Sequence, residues 1–150
     1  MRKIIGTVAS AGLLAVVAAG GAYADTCPAS PSRLVGKWAG TVTHGGTTGD
    51  IDLIFTPAGK ACLLTSAGVS EGTWKYTATT GNYTYKITEA LIDGTGAQAG
   101  WIYINQATSG AVTSTFTSSG TSEVYDIAGN YQFSQVADVD VHRVAGAASC

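Results

Sequence analysis

Apolar and polar residues alternate in short runs along most of the chain, a two-residue period typical of β-strands with one buried face. The clearest run spans residues 83–91, where one face carries Tyr83, Tyr85, Ile87, Glu89 and Leu91. The same pattern predicts strands at residues 34–44, 50–56, 61–65, 71–78, 83–91, 99–107, 111–117, 124–126 and 131–144. The last run is long enough to require a bend or bulge, which we expect near residues 135–137.

Short turns separate these runs, and residues 57–60 and 93–96 have the Pro, Gly and Asp content of hairpin turns. No helical period of useful length follows residue 24. Sequential hairpins predict an all-β fold, an antiparallel up-and-down β-barrel of eight to nine strands within residues 34–144. The alternative is a β-sandwich, which normally needs longer crossover connections than the sequence offers.

The first 24 residues have the pattern of a secretory signal peptide. Arg2 and Lys3 precede an apolar run, which ends at the small-x-small sequence of residues 22–24. The alternative, a retained membrane anchor, is disfavoured because the run is short and rich in Gly and Ala. We therefore expect a secreted protein that begins at Asp25, with an extended lead-in at 25–33, a C-terminal tail at 145–150 and no stable membrane insertion.

Charge narrows the range of partners. Without Arg2 and Lys3, six basic residues stand against ten acidic ones, a net charge near −4. Nucleic acids and anionic membranes require a basic surface, so neither is an expected partner. The oligomeric state is left open by the sequence.

Three cysteines, Cys27, Cys62 and Cys150, lie in the expected mature chain. In an exported protein they predict one disulfide bond and one remaining thiol. All three pairings are open. A catalytic cysteine is not expected, because no base or activating cation is near any of them in the sequence.

The first and last predicted strands carry a recognisable combination, Gly36-Lys37-Trp38 near the start and Arg143 near the end. It resembles the lipocalin or calycin group, in which Gly-x-Trp lies on the first strand and an arginine of the last strand packs over the tryptophan. The resemblance implies a structural role for Trp38 and Arg143 at the closed end of a barrel. Avidin-like barrels have a similar opening strand. The helix that lipocalins place after the last strand is not predicted here.

The predicted inner faces carry candidate ligand-binding residues. Glu89 is in phase with apolar neighbours, and a carboxylate inside a barrel could anchor a ligand or act as a general acid or base. The alternatives place Glu89 in water at the strand end, or in an ion pair with Arg143. Aromatic residues with polar tips suit a semi-polar ligand, and the remaining candidates are Tyr85, Tyr83, Trp74, Tyr76 and Phe133.

The histidines and the paired aspartates are the remaining candidates for catalysis or metal binding. His44 and His142 are interpreted as surface residues, and the pairs Asp50/Asp52 and Asp138/Asp140 are interpreted as solvated strand faces rather than calcium ligands. No metal site, cofactor or catalytic residue is predicted.

Three functions remain open from the sequence. The first is a secreted, non-enzymatic protein that binds a small apolar or semi-polar ligand. The second is a barrel-type cyclase or isomerase that uses Glu89. The third is a solid-core extracellular interaction or inhibitor protein, which would follow if the barrel interior were filled.

Overall fold

The structure is a computed structural model that describes residues 30–150. The expected signal peptide, Cys27 and the first residues of the lead-in lie outside the described residues. A 3₁₀ turn, Pro31–Arg33, replaces the last part of the expected extended lead-in. Eight strands follow it: β1 Gly36–His44, β2 Thr47–Phe55, β3 Lys60–Thr65, β4 Gly68–Thr77, β5 Asn82–Ile92, β6 Gln98–Ser109, β7 Thr115–Asp126 and β8 Tyr131–Val144.

The strands form a closed antiparallel barrel in sequence order. β1 pairs with β2 on one side and with β8 on the other, so that Trp38 is opposite both Leu53 and Arg143. Closure pairs both edges of each of the eight strands in residues 30–150. The predicted all-β up-and-down barrel is therefore confirmed, and the β-sandwich alternative is wrong.

The strand count differs from the nine predicted runs at one place. Residues 111–117 and 124–126 were predicted as separate strands because Ser118, Ser119 and Gly120 resemble a turn. They instead lie inside β7, with Ser118 buried and hydrogen-bonded in the interior. Gly120 lies where the neighbouring strand approaches closely, and a Cβ there would overlap the Asn105 carbonyl oxygen.

Aromatic side chains fill the end of the barrel near Trp38, which we call the closed end. Trp38 and Phe55 are fully buried, and Phe116 is nearly so. The rings of Trp38 and Phe116 meet edge to face at 4.8 Å between centroids, and those of Phe55 and Tyr85 at 5.2 Å. Such contacts add to the free energy gained from burying the rings, so the closed end is a packed core.

Arg143 covers the closed end from outside. Its guanidinium carbon lies 4.2 Å from the centroid of the Trp38 ring, and its nitrogens donate to the carbonyls of Val35 and Arg33. Gly36 has a φ of +142°, and a Cβ there would overlap the guanidinium. The glycine of Gly36-Lys37-Trp38 thus makes room for the arginine.

The single disulfide of the described residues joins Cys62 to Cys150. Cys62 alternates with the core residues Ala61 and Leu63, so it faces the outside of β3, where it is nevertheless fully buried. The bond attaches the C-terminal tail to the outer surface of the barrel. Within residues 30–150, no helix is long and apolar enough to cross a membrane.

Candidate functional site

The half of the barrel opposite the closed end contains a cavity of about 340 Å³. Its walls are mainly aliphatic, with contributions from Val42, Leu63, Ile87 and Ile104 on four different strands. Polar side chains occupy two levels, one at the bottom and one near the opening, which we call the floor and the mouth. Ligand pockets typically combine such apolar walls with a few convergent polar groups.

The floor is closed by a buried chain of hydrogen bonds. Ser118 Oγ donates to Gln106 Oε1 at 3.0 Å, so the Tyr85 hydroxyl donates to Ser118 at 2.7 Å. Gln106 Nε2 in turn donates to the Ala137 carbonyl at 3.0 Å. Burial raises the pKa of the Tyr85 hydroxyl, which keeps it protonated. Among residues 30–150 no buried side-chain polar atom lacks a partner. The polar groups of the floor therefore do not need hydrogen bonds from a ligand.

Glu89 lies at the mouth, near the end of β5, and lines the cavity. It is half-buried, and its Oε1 accepts one hydrogen bond, from Thr65 Oγ1 at 3.3 Å. Burial raises the pKa of the Glu89 carboxyl, while the Thr65 bond and the nearby His44 act in the opposite direction. The carboxylate therefore retains most of its acceptor capacity in a partly desolvated position.

His44 is also at the mouth, at the end of β1, and is held by Gln135 of β8. Gln135 Nε2 and His44 Nδ1 are 3.2 Å apart. An amide nitrogen can only donate, so Nδ1 accepts and the neutral ring carries its proton on Nε2. The mouth thus presents an acceptor, Glu89, and a donor, His44.

Three of the predicted ligand-binding residues lie at the closed end rather than around the cavity. Tyr83 is buried, its hydroxyl donates to the Ser30 carbonyl, and its ring packs against Tyr76 at 5.0 Å. Trp74 donates through Nε1 to the Thr56 carbonyl at 2.9 Å. Tyr83 belongs to the buried core, and the half-buried Trp74 and Tyr76 pack against that core. Of the six candidates, only Glu89 and Tyr85 line the cavity.

Phe133, the sixth candidate, was expected inside the barrel but is 51% exposed at the rim. The β7–β8 pairing is irregular here, since Val124 is opposite Phe133 and Tyr125 is opposite Tyr131. The bulge therefore lies near residue 132, not at 135–137, and it turns Tyr131 outward. On the outer face Tyr131 contacts the Tyr125 ring at 5.6 Å between centroids.

The ion pair considered between Glu89 and Arg143 does not form, because the two residues lie at opposite ends of the barrel. Asp52 instead pairs with Lys37 at 2.9 Å on the outer face, and Asp138 and Asp140 are exposed. In the described part of the chain, no three His, Cys, Asp or Glu residues are grouped so as to hold a metal ion.

Sequence reasoning missed several residues of the cavity, namely His44, Thr65, Gln106, Ser122 and Gln135. His44 shares the inner face of Trp38 by its spacing, and Gln135 is in phase with Val139. Those signals were available, but His44 was interpreted as a surface residue and Gln135 as part of an expected bulge. Gln106 and Ser122 lie beside residues that resemble strand ends or turns, where phase is hard to read.

Comparison of the chain with known protein families, curated proteins and solved structures finds no significant match.

Proposed function

We propose that this protein is a non-enzymatic binder of a small ligand whose apolar body occupies the barrel cavity. The observation that carries the proposal is the combination of aliphatic walls, a hydrogen-bonded floor and a mouth at which Glu89 has unused hydrogen-bond acceptor positions. A cavity of about 340 Å³ is at the small end of the range for ligand pockets, about 300–1,000 Å³. The solid-core alternative is disfavoured, because the aromatic filling ends at Tyr85.

We further propose that the protein acts outside the cell. Support comes from the signal-peptide pattern of residues 1–24 and from the Cys62–Cys150 disulfide, since such bonds persist in oxidising compartments. The Gly36-Lys37-Trp38 and Arg143 combination, with its resemblance to lipocalins, supports an extracellular carrier as well.

The test uses N-phenyl-1-naphthylamine, a neutral fluorophore whose emission rises in apolar surroundings. We expect saturable binding at one site per chain. Ala137, buried in the cavity wall, is replaced by Leu to fill the space, and Ala107, on the outward side of β6, is replaced by Leu as the control. A137L should lose binding while A107L retains it. Absence of saturable binding by the wild type, or equal binding by both variants, would contradict the proposal.

A second candidate is an isomerase or cyclase that uses Glu89 as acid or base. The observation in its favour is the raised pKa of a carboxyl at a cavity mouth with His44 nearby. NMR titration of the Glu89 side-chain carboxyl decides whether this candidate survives. An ordinary carboxyl pKa, near 4.3, would remove the reason to propose it.

A further inference from the structure

We propose that the ligand of this cavity carries a protonated amine, which lies at the mouth against Glu89 while its apolar part extends toward Tyr85. This inference rests on the proposed binding function and specifies the chemical class of the ligand.

The charge around the cavity favours a cation. Glu89 is the acidic side chain that faces it, and His44 is the only basic side chain among the described lining residues. Asp50 also borders the cavity, but it is exposed and shares the outer face of β2 with Asp52. The Lys and Arg side chains of residues 30–150 all lie elsewhere. Two of them, Lys37 and Lys60, are engaged in ion pairs with Asp52 and Glu71, and Arg143 covers the closed end. A cationic group at the mouth therefore meets negative potential without a competing protein cation.

The hydrogen bonding of Glu89 points the same way. A carboxylate offers about four acceptor positions, and here only Thr65 uses one. Burial makes the ionised form costly, and an ammonium group would compensate for that cost by both charge and hydrogen bonds. An alcohol could supply a hydrogen bond but no charge. A carboxylate ligand would place a second negative charge beside Glu89.

The two polar levels also set the direction of the ligand. Tyr85 and Glu89 are four residues apart on one strand, about 13 Å at the usual strand rise. The walls between them are aliphatic, and the floor hydrogen bonds are already satisfied. A linear ligand with its polar group at one end fits this arrangement, with that group at the mouth.

The experiment compares three probes with the same eight-carbon chain, n-octylamine, 1-octanol and octanoate, by isothermal titration calorimetry at pH 7. We expect the amine to bind the wild type at least tenfold more tightly than the alcohol, as for a hydrogen bond to a charged group. Octanoate should bind more weakly than the alcohol. In E89Q the amine and the alcohol should bind with similar affinity, because glutamine keeps an acceptor oxygen but carries no charge. The control is E123Q, which makes the same charge change at an exposed residue of β7 that does not line the cavity.

The pH profile gives a second readout. The groups that face Glu89 are Thr65 from β3 and His44 from β1, and Asp50 of β2 borders the cavity but is exposed. As the pH falls, the Glu89 carboxyl, whose pKa is raised by burial, becomes neutral, so the preference for octylamine over octanol should decrease. E89Q should lack most of this dependence.

The outcomes separate the inference from the function on which it rests. Equal binding of octylamine and octanol, tighter binding of octanoate, or an amine preference that survives in E89Q would overturn the amine proposal and leave the binding function intact. If no octyl probe and no fluorophore bound to the wild type, both proposals would be overturned together.

Discussion

Trp38 combines packing, hydrogen bonding and charge at a single position. Its ring is fully buried, meets Phe116 edge to face and lies under Arg143. Its Nε1 donates to the Leu34 carbonyl at 2.8 Å, so the buried polar atom is satisfied. The residue therefore connects β1 with Leu34, which precedes it, and with β7 and β8.

Replacing Trp38 with Ala should lower the free energy of unfolding by about 3–5 kcal/mol, through lost burial and an unfilled cavity. Trp101, at the outer surface and 36% exposed, provides the matched control. Trp101→Ala should cost less than about 1 kcal/mol. Urea unfolding of both variants measures the difference. Similar losses for the two variants would show that Trp38 is not a special packing position.

Glu89 gives a prediction about pH. Its pKa is raised in the folded protein, so folding favours the protonated carboxyl. The stability associated with protonation is fully present below the pKa of the unfolded chain, about 4.3, and is lost as the pH rises through the folded pKa. The free energy of unfolding of the wild type, minus that of E89Q, should therefore decrease as the pH rises above about 4.

The measurement is urea unfolding of wild type and E89Q in parallel across pH 4 to 8. Because both proteins contain the same other titratable groups, the difference isolates position 89. A flat difference, or one that increases with pH, would contradict the raised pKa of Glu89.

The strands curve tightly because small residues occupy inward positions where neighbouring backbones approach. Gly72 on β4 is opposite Ala61 of β3 and Ile87 of β5. A Cβ at Gly72 would overlap the Lys86 carbonyl oxygen. Since that oxygen is backbone in the barrel wall, it can move only if the pairing changes. Glycine at this position is thus a requirement of the curvature, as it commonly is in barrels.

Gly72→Ala should accordingly destabilise the barrel by several kcal/mol or prevent folding, although alanine normally suits a strand better than glycine. Gly49→Ala in β2 is the matched control, since a Cβ there meets nothing within 4 Å. We expect Gly49→Ala to fold with a free energy of unfolding within about 0.5 kcal/mol of the wild type. Circular dichroism with thermal unfolding compares them. A G72A protein as stable as G49A would contradict the close approach.

At the scale of the whole molecule, the barrel is divided into a packed half and a hollow half. The aromatic residues lie at the closed end, and the open half is enclosed by aliphatic residues with polar groups at its mouth. The tail adds a covalent connection, since Cys62 and Cys150 are 88 residues apart and their bond closes a loop containing β4 to β8. The disulfide limits the freedom of the unfolded chain.

Removing this disulfide should lower the free energy of unfolding by about 2–4 kcal/mol, mainly because the unfolded chain gains freedom. C62S/C150S is the test variant, and C27S is the control, since Cys27 takes no part in the described bond. Chemical unfolding without reductant compares both with the wild type. Equal destabilisation by C27S, or a Cys27 cross-link in peptides of the unreduced protein, would contradict the assigned pairing.

Much of the barrel was predictable from local patterns. Alternation located most of the strands, and Gly36-Lys37-Trp38 with Arg143 indicated the closed end. The main local error was at Ser118 to Gly120, whose composition is typical of a turn. In the barrel, Ser118 instead donates a hydrogen bond to Gln106, and Gly120 allows a neighbouring strand to approach closely. Neither interaction can be predicted from local sequence, because each involves a residue of another strand.

The sequence by itself determined the all-β class, the inward direction of Tyr83, Tyr85 and Glu89, and the presence of enough cysteine for one bond. Only the tertiary structure decided that Tyr83 is core, that Tyr85 is floor and Glu89 mouth, and that Cys62 pairs with Cys150. The reason is geometric: residue phase gives the side of the sheet that a side chain faces, but its height in the barrel depends on the stagger of strands that are distant in sequence.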